Sequence, residues 1–415
     1  MRILFVTHAY APSKGGVQWL VQSLAERLTE QFHDQVTVFT TVALRCELFI
    51  DPDQPRLPAG ETQIGGVCVR RFNVFNRLTW LRLTAARIAY KLRLPGQDLL
   101  RGLYFGPIVP GLRKAIAAQP ADVIVAASFP MIHMYDALAS GQRNRRPVAL
   151  IGTVHPTDRW SYDLPRMYRA ITQAQVYIAL SSYERDHLAL RCPGANLTVV
   201  SGGVDVEAMN AQEAGRAFRQ LQGWADEDFV ICMAGRITAY KRPDVMLSAM
   251  PAIWRALPNA RLVFAGASAT HQQDADLQTR IGALPHPDRV TWIKDFAEAD
   301  KPAIFSAADV IVHLSDRESF GIVIIEGWAA GKAVIAPSAG AAPSIIADGQ
   351  DGLLIPYGEA DALVEAVTRL GRSESLRRAL GAAGQAKARR FYDWSVVVPC
   401  FREVLLGVVL PDAAY

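Results

Sequence analysis
The segment MRILFVTHAYAPSKGGVQWLVQSLAERL, residues 1–28, decides the fold. Arg2 to Val6 is a short apolar run suited to a buried strand. A loop carrying Lys14-Gly15-Gly16 follows. Val17, Leu20, Val21, Leu24, Ala25 and Leu28 then recur at i, i+3, i+4 and i+7, the spacing of an amphipathic helix. Strand, glycine loop and helix together open an α/β domain whose ligands are expected outside the carboxyl ends of the strands.

Working outward, further apolar strands are expected at 35–40, 122–126, 148–153, 176–180 and 198–200, with intervals long enough for helices. Alternation of this kind argues for a parallel sheet covered by helices on both faces. After Ser201-Gly202-Gly203 the pattern restarts, with strands expected at 229–234, 261–265, 290–293, 309–314 and 333–336. The expected division is therefore 1–203 and 204–392. The last segment, about 393–415, holds Trp394 and Phe401 and is expected to pack back on the first domain.

Bulk properties agree with two domains. A chain of 415 residues exceeds one ordinary core. Half of it is hydrophobic and a fifth charged, the composition of a globular enzyme and not of a disordered chain. Cys46, Cys68, Cys192, Cys232 and Cys400 lie far apart, without a C-x-x-C pair, so neither a zinc ribbon nor a redox dithiol is encoded locally. The amino terminus lacks a basic segment before a cleavable apolar core. No apolar run reaches the roughly 20 residues of a membrane-spanning helix. These features point to the cytoplasm, with peripheral contact on the inner face of a membrane as the remaining membrane mode. The net charge of +4 conceals a local excess: residues 62–121 hold ten Lys and Arg against one acid, Asp98. No nucleic-acid recognition fold accompanies that charge, so nucleic acid is not expected as a partner.

Four strand-end loops carry unusual residues. Gly15 and Gly16 precede a helix, where bare N–H groups can approach a phosphate, although an ordinary strand-to-helix turn would use the same residues. Gly235-Arg236 ends the 229–234 strand, and Lys241 follows five residues later; two cations there suit a diphosphate or, more plainly, surface ion pairs. The 309–314 strand leads to Ser315-Asp316-Arg317-Glu318-Ser319-Phe320-Gly321, expected to enter a helix containing Glu326. Glu318 suits the positive end of a helix dipole. Glu326 follows four branched apolar residues and needs a partner, because a buried unpaired charge is costly. Both carboxylates accept hydrogen bonds and so suit ribose and sugar hydroxyls. Finally, His155 follows the 148–153 strand, where it could serve structure or donate to a sugar or phosphate oxygen.

Glu318 and Glu326, with seven residues between them and Phe320-Gly321 inside, form an E-x7-E motif that resembles that of the retaining glycosyltransferases of family 4. Gly15-Gly16, Gly235-Arg236 with Lys241, His155, and the segment Asp348-Gly349-Gln350-Asp351-Gly352-Leu353-Leu354-Ile355-Pro356 occur in the family's order. The resemblance implies a GT-B architecture, two Rossmann-like doubly wound domains facing a central cleft. Carried over, Glu326 would bind the donor's ribose, Arg236 and Lys241 its diphosphate, and Glu318 with the backbone at Phe320 and Gly321 its sugar. Gly15 and Gly16 would approach the β-phosphate, and His155 would lie near the transferred sugar. The implied reaction is metal-independent and retaining, without a cofactor, from a UDP-sugar or GDP-sugar. Three departures bear on the donor sugar: Arg242 stands where Gly is common, Ser201-Gly202-Gly203 where Pro-Asn-Gly is common, and Ser338 to Ser344 lacks the usual glutamate.

The basic window interleaves cations with aromatics. Arg77, Trp80, Arg82, Arg87, Lys91 and Arg93 fall at roughly helical spacing, as in a helix lying on an anionic membrane; a solvated basic face would look the same. The acceptor is accordingly expected to be lipid-linked or anionic. A nucleotide-sugar epimerase, a phosphorylase or a non-catalytic sugar-nucleotide binder would fit the same fold. A dehydrogenase is disfavoured, since no G-x-G-x-x-G follows the first strand.

Overall fold
The computed structural model describes residues 1–267 and 271–410. The chain divides into two compact units, one formed by Met1–Ser201 together with the chain from Val398 onward, the other by Gly202–Val397.

The first unit is built on β1 (Arg2–Thr7), β2 (Gln35–Thr41), β3 (Gly60–Ile64), β4 (Val67–Phe72), β5 (Val123–Ala127), β6 (Val148–Ile151), β7 (Val176–Ala179) and β8 (Leu197–Val199). They lie in the order β3-β4-β2-β1-β5-β6-β7-β8, parallel throughout except for the β3–β4 pair. Ile3, Leu4, Phe5 and Val6 are all buried, so β1 is covered on both faces, as its unbroken apolar run requires. The β3–β4 hairpin was not expected. Its edge strand GETQI is polar and exposed, and β4 buries only alternate residues, so neither presents an apolar run.

The second unit carries β9 (Phe229–Ala234), β10 (Ala260–Ala265), β11 (Val290–Ile293), β12 (Val310–Val312), β13 (Ala333–Pro337) and β14 (Leu353–Ile355), all parallel in the order β11-β10-β9-β12-β13-β14. The strand β14 comes from the Asp348 to Pro356 segment. Within that segment Asp351 bonds Lys387 at 2.7 Å and its carbonyl accepts from Trp328 Nε1 at 2.7 Å.

In each sheet the chain runs outward from a central strand and then returns to its other side. That reversal falls between β1 and β5 in the first unit and between β9 and β12 in the second. Side chains near such a point are where an open parallel sheet can offer a ligand polar groups.

The carboxyl-terminal helix Trp394–Val409 does pack on the first unit: Phe401 stacks on Phe5 with ring centroids 6.3 Å apart. Arg402 donates to the fully buried carboxylate of Asp34 at 2.8 Å, and the Met1 ammonium donates to the same group at 2.8 Å.

At the first switch point His8, in the loop after β1, faces His133, in the helix Ile132–Asn144 after β5, with ring centroids 6.1 Å apart. Burial, reinforced by His133, pushes His8 down to about 3. Burial pushes His133 down to about 4, although its Nε2 lies 2.7 Å from the Ala127 carbonyl. Both are therefore neutral in the fold, while an unfolded chain protonates them near 6.5. The unfolded state then binds the additional protons, so stability is full above 6.5 and is lost as pH falls toward 4. Urea unfolding followed between those values should show this slope, and His133→Gln should make it shallower.

Candidate nucleotide-sugar site
The loops after β9 and β12 flank the second switch point. The first turns at Gly235, whose φ of 111° suits glycine, and continues through the exposed Arg236 to Lys241. The second carries Glu318 and Phe320 and ends at Gly321, with φ 96°, immediately before the helix Ile322–Ala329. An added methyl at Gly321 would lie 3.1 Å from the Ile324 side chain, so both backbone and packing call for glycine there. Glu318 therefore does not enter the helix as expected. It sits three residues ahead of Gly321 and forms an ion pair with Lys241.

Glu326, inside the helix, is almost fully buried and accepts from Lys301 Nζ at 2.9 Å. Burial holds its carboxyl above the ordinary range against the pull of Lys301. Burial would lower Lys301, but Glu326 and the neighbouring Glu298 outweigh it and hold the amine charged. Lys241 shows the same balance, with Glu318, Tyr240 and Glu326 overcoming desolvation. That Glu326 acts on Lys241 places both glutamates and both lysines in one electrostatic neighbourhood. His313, just beyond β12, belongs to it too: burial and then Lys241 push it down to about 4, so it is neutral. In the two loops Thr238 Oγ1 and Asp316 Oδ1 are buried with no hydrogen-bond partner among the described residues, polar atoms suited to a bound polar ligand. Phe320 packs on Tyr392, and an added methyl at Gly202 would lie 3.3 Å from its ring.

The sequence missed Lys301 and His313. Neither stands in a pattern that singles it out, and only the packing of the helix Lys301–Ala307 brings Lys301 to Glu326.

The remaining expected residues lie in the first unit. Gly15 caps the helix Gly16–Phe32, and open space surrounds the Gly16 Cα where a side chain would project. His155 is half-buried in the loop after β6, edge-on to Tyr162 with ring centroids 5.0 Å apart.

The basic window separates into two sets. Trp80 (70% exposed), Arg77, Arg87, Lys91 and Arg93 lie on the surface in and around the helix Thr79–Lys91, with exposed Leu78, Leu81, Ile88 and Leu92 among them. Arg82, expected to belong with them, does not: it turns inward and donates to the carbonyls of Leu103 at 3.0 Å and Phe49 at 3.2 Å. Arg71 is buried and donates to the Ala11 carbonyl at 2.7 Å, and Arg101 is likewise buried on backbone carbonyls. These three guanidiniums join loops that lack regular hydrogen-bond partners. They add to the count of charges but little to the surface.

Comparison with known proteins gives the family. The model of the glycosyl transferases group 1 matches residues 216–387, and that of glycosyltransferase family 4 matches residues 14–208. The chain belongs to the family 4 type of glycosyltransferases and is a transferase enzyme of GT-B architecture. It is 27% identical to the putative glycosyltransferase EpsD of Bacillus subtilis, over 78% of this chain and 88% of that one. It is 24% identical to the GDP-mannose-dependent alpha-(1-6)-phosphatidylinositol monomannoside mannosyltransferase of Mycolicibacterium smegmatis, over 98% of each. The fold is similar to that of Anabaena HepE, solved in complex with UDP and glucose, with a TM-score of 0.75 and 20% identity over 98% of this chain and 99% of that one.

The Lys301–Glu326 pair yields a stability prediction. Lys301→Met leaves a buried carboxylate unpaired and should destabilise the second unit by about 3 kcal/mol in chemical unfolding. Adding Glu326→Leu should recover most of that loss.

Proposed function
We propose that this chain moves a sugar, with retention of anomeric configuration, from a nucleoside-diphosphate sugar to a lipid-linked acceptor at a membrane surface. The observation that carries the reading is the convergence of Lys241, Glu318, Glu326 and Lys301 at the switch point between β9 and β12. Before substrate binds, each of Lys241 and Glu318 satisfies the other. A diphosphate would take over the Lys241 ammonium, with Arg236 beside it in sequence, and free Glu318 to accept from sugar hydroxyls. Glu326, paired with Lys301, would accept from the ribose. The departing diphosphate would be stabilised by these cations and by helix ends, without a metal. By the family resemblance, His155 would lie near the transferred sugar.

The acceptor assignment rests on the exposed part of the basic window. Trp80, Leu81, Arg87, Ile88 and Lys91 mix apolar and cationic side chains on the solvent side of one helix, as suits an interface of anionic headgroups. Among the described residues no helix is long and apolar enough to cross a membrane. The phosphatidylinositol monomannoside acceptor named for the mycobacterial relative is of the same chemical kind.

Thermal unfolding with UDP, GDP, ADP, TDP, CMP and their common sugars tests the donor half, since a ligand of the folded state raises the transition. One nucleotide family should shift it, and Glu326→Ala should weaken that binding by about 1–3 kcal/mol. No shift with any nucleotide overturns the reading. A shift with turnover of the sugar nucleotide to its epimer, needing no acceptor, would favour an epimerase; binding without any turnover would favour a silent binder.

Sedimentation with phosphatidylglycerol vesicles at low salt tests the membrane half. Binding should fall several-fold for Arg87→Glu with Lys91→Glu, each cation near anionic lipid contributing about 1 kcal/mol. Failure of the unaltered protein to sediment sinks it.

A further inference from the structure
The residue Glu184 has no part in the sequence motifs, yet it is completely buried in the first unit. Ser181-Ser182-Tyr183-Glu184 has the S-x-x-E form of a helix capping box, and the Ser181 hydroxyl does accept from the Glu184 N–H at 3.3 Å. In such a box the glutamate would turn back to the N–H of Ser181. Here it reaches elsewhere. Its Oε1 accepts from the backbone N–H of Thr153 at 2.9 Å, from that of Val154 at 2.8 Å and from the Tyr177 hydroxyl at 2.6 Å. Its Oε2 accepts from the Leu180 N–H at 2.9 Å.

The backbone has made room for this carboxylate. Gly152 lies against it, so that an added methyl would stand 2.5 Å from Oε2. Thr153 has φ 102°, a region a β-branched residue adopts only under constraint. Two N–H groups directed at one oxygen supply that constraint. The next side chain, Val154, is fully buried, and the one after it is His155. The far end of the same loop is held by the opposite charge. Arg101, buried against the rings of Tyr90 and Trp160, donates to the carbonyls of Arg159 at 2.9 Å and Asp163 at 3.3 Å.

We propose that Glu184 is a positioning residue for His155: its carboxylate holds the strained Thr153–Val154 backbone and so fixes where the imidazole stands, while Arg101 anchors the loop beyond it. The proposal rests on the reading that places His155 near the transferred sugar. Glutamine keeps the shape of Glu184 but turns an N–H2 toward backbone N–H groups, so Glu184→Gln releases the loop with little change in volume.

The test compares Glu184→Gln with the same change combined with Thr153→Gly, because glycine holds a positive φ without help. Hydrogen exchange of peptides covering residues 152–156 should quicken about ten-fold in Glu184→Gln, with β5 and β9 unchanged. Release of UDP from UDP-glucose, or of GDP from GDP-mannose, should show kcat lowered roughly ten-fold or more with the donor KM within about two-fold. Thr153→Gly should restore much of kcat. If Glu184→Gln fails to fold, Gly152→Ala displaces the carboxylate instead and should give the same pattern. Unchanged exchange or unchanged kcat overturns the proposal. So does a loss that follows the folded fraction and is not rescued by glycine. If the unaltered chain releases nucleotide from neither donor, the reading of these donors fails, and exchange alone decides whether Glu184 holds the loop.

Discussion
A parallel sheet covered by helices on both faces has no face left for a ligand. Its strands are apolar from end to end, and polar chemistry is confined to the loops at their tips. In both units of this chain the consequence is the same. Buried polar groups gather where the chain reverses direction, between β1 and β5 and between β9 and β12, while His155 and Glu184 stand at the tips of strands further out. At the reversals the helices on either side diverge and neighbouring loops come together. His8 meets His133 at one such point, and Lys241 meets Glu318 at the other.

Buried charge in this protein takes two forms. In the second unit the carboxylates of Glu318 and Glu326 are matched by lysines, whose ammonium groups the neighbouring carboxylates hold charged against desolvation. Such pairs can be exchanged for a ligand's own charges at modest cost, because the ligand supplies what the partner supplied. In the first unit Asp34 is likewise matched by Arg402 and the Met1 ammonium, but Glu184, Arg71 and Arg101 bind backbone. A carboxylate collecting N–H groups, or a guanidinium collecting carbonyls, satisfies loop backbone that no strand or helix accommodates. Those charges shape loops and are unsuited to exchange. The distinction separates pairs that a ligand's charges can displace from charges that hold backbone in place.

Much of this was legible beforehand, for identifiable reasons. Strands such as β1, β5 and β9 announced themselves because burial on both faces demands consecutive apolar residues. Glu326 stood out because a charge beside Ile322 to Ile325 needs an explanation, and Glu318 through its spacing from Glu326. The edge strand β3 was illegible because an exposed edge needs no apolar pattern. Lys301 was illegible because nothing in KPAIFSA marks its first residue as the partner of a carboxylate 25 positions away. Counting charge over residues 62–121 overstated the basic surface, since Arg71, Arg82 and Arg101 spend their hydrogen bonds inside the unit.

The amino-acid sequence by itself determined the two α/β units, the order of their principal strands and the family's motif residues, since these follow from local periodicity and from residue types at short spacing. Only the tertiary structure decided which charges pair. It turned Glu318 from the helix entrance to Lys241, supplied Lys301 to Glu326, and drew Glu184 from an apparent capping box to the backbone beneath His155. Pairing depends on which loop tips the sheet order brings together, and sheet order is a property of the whole chain.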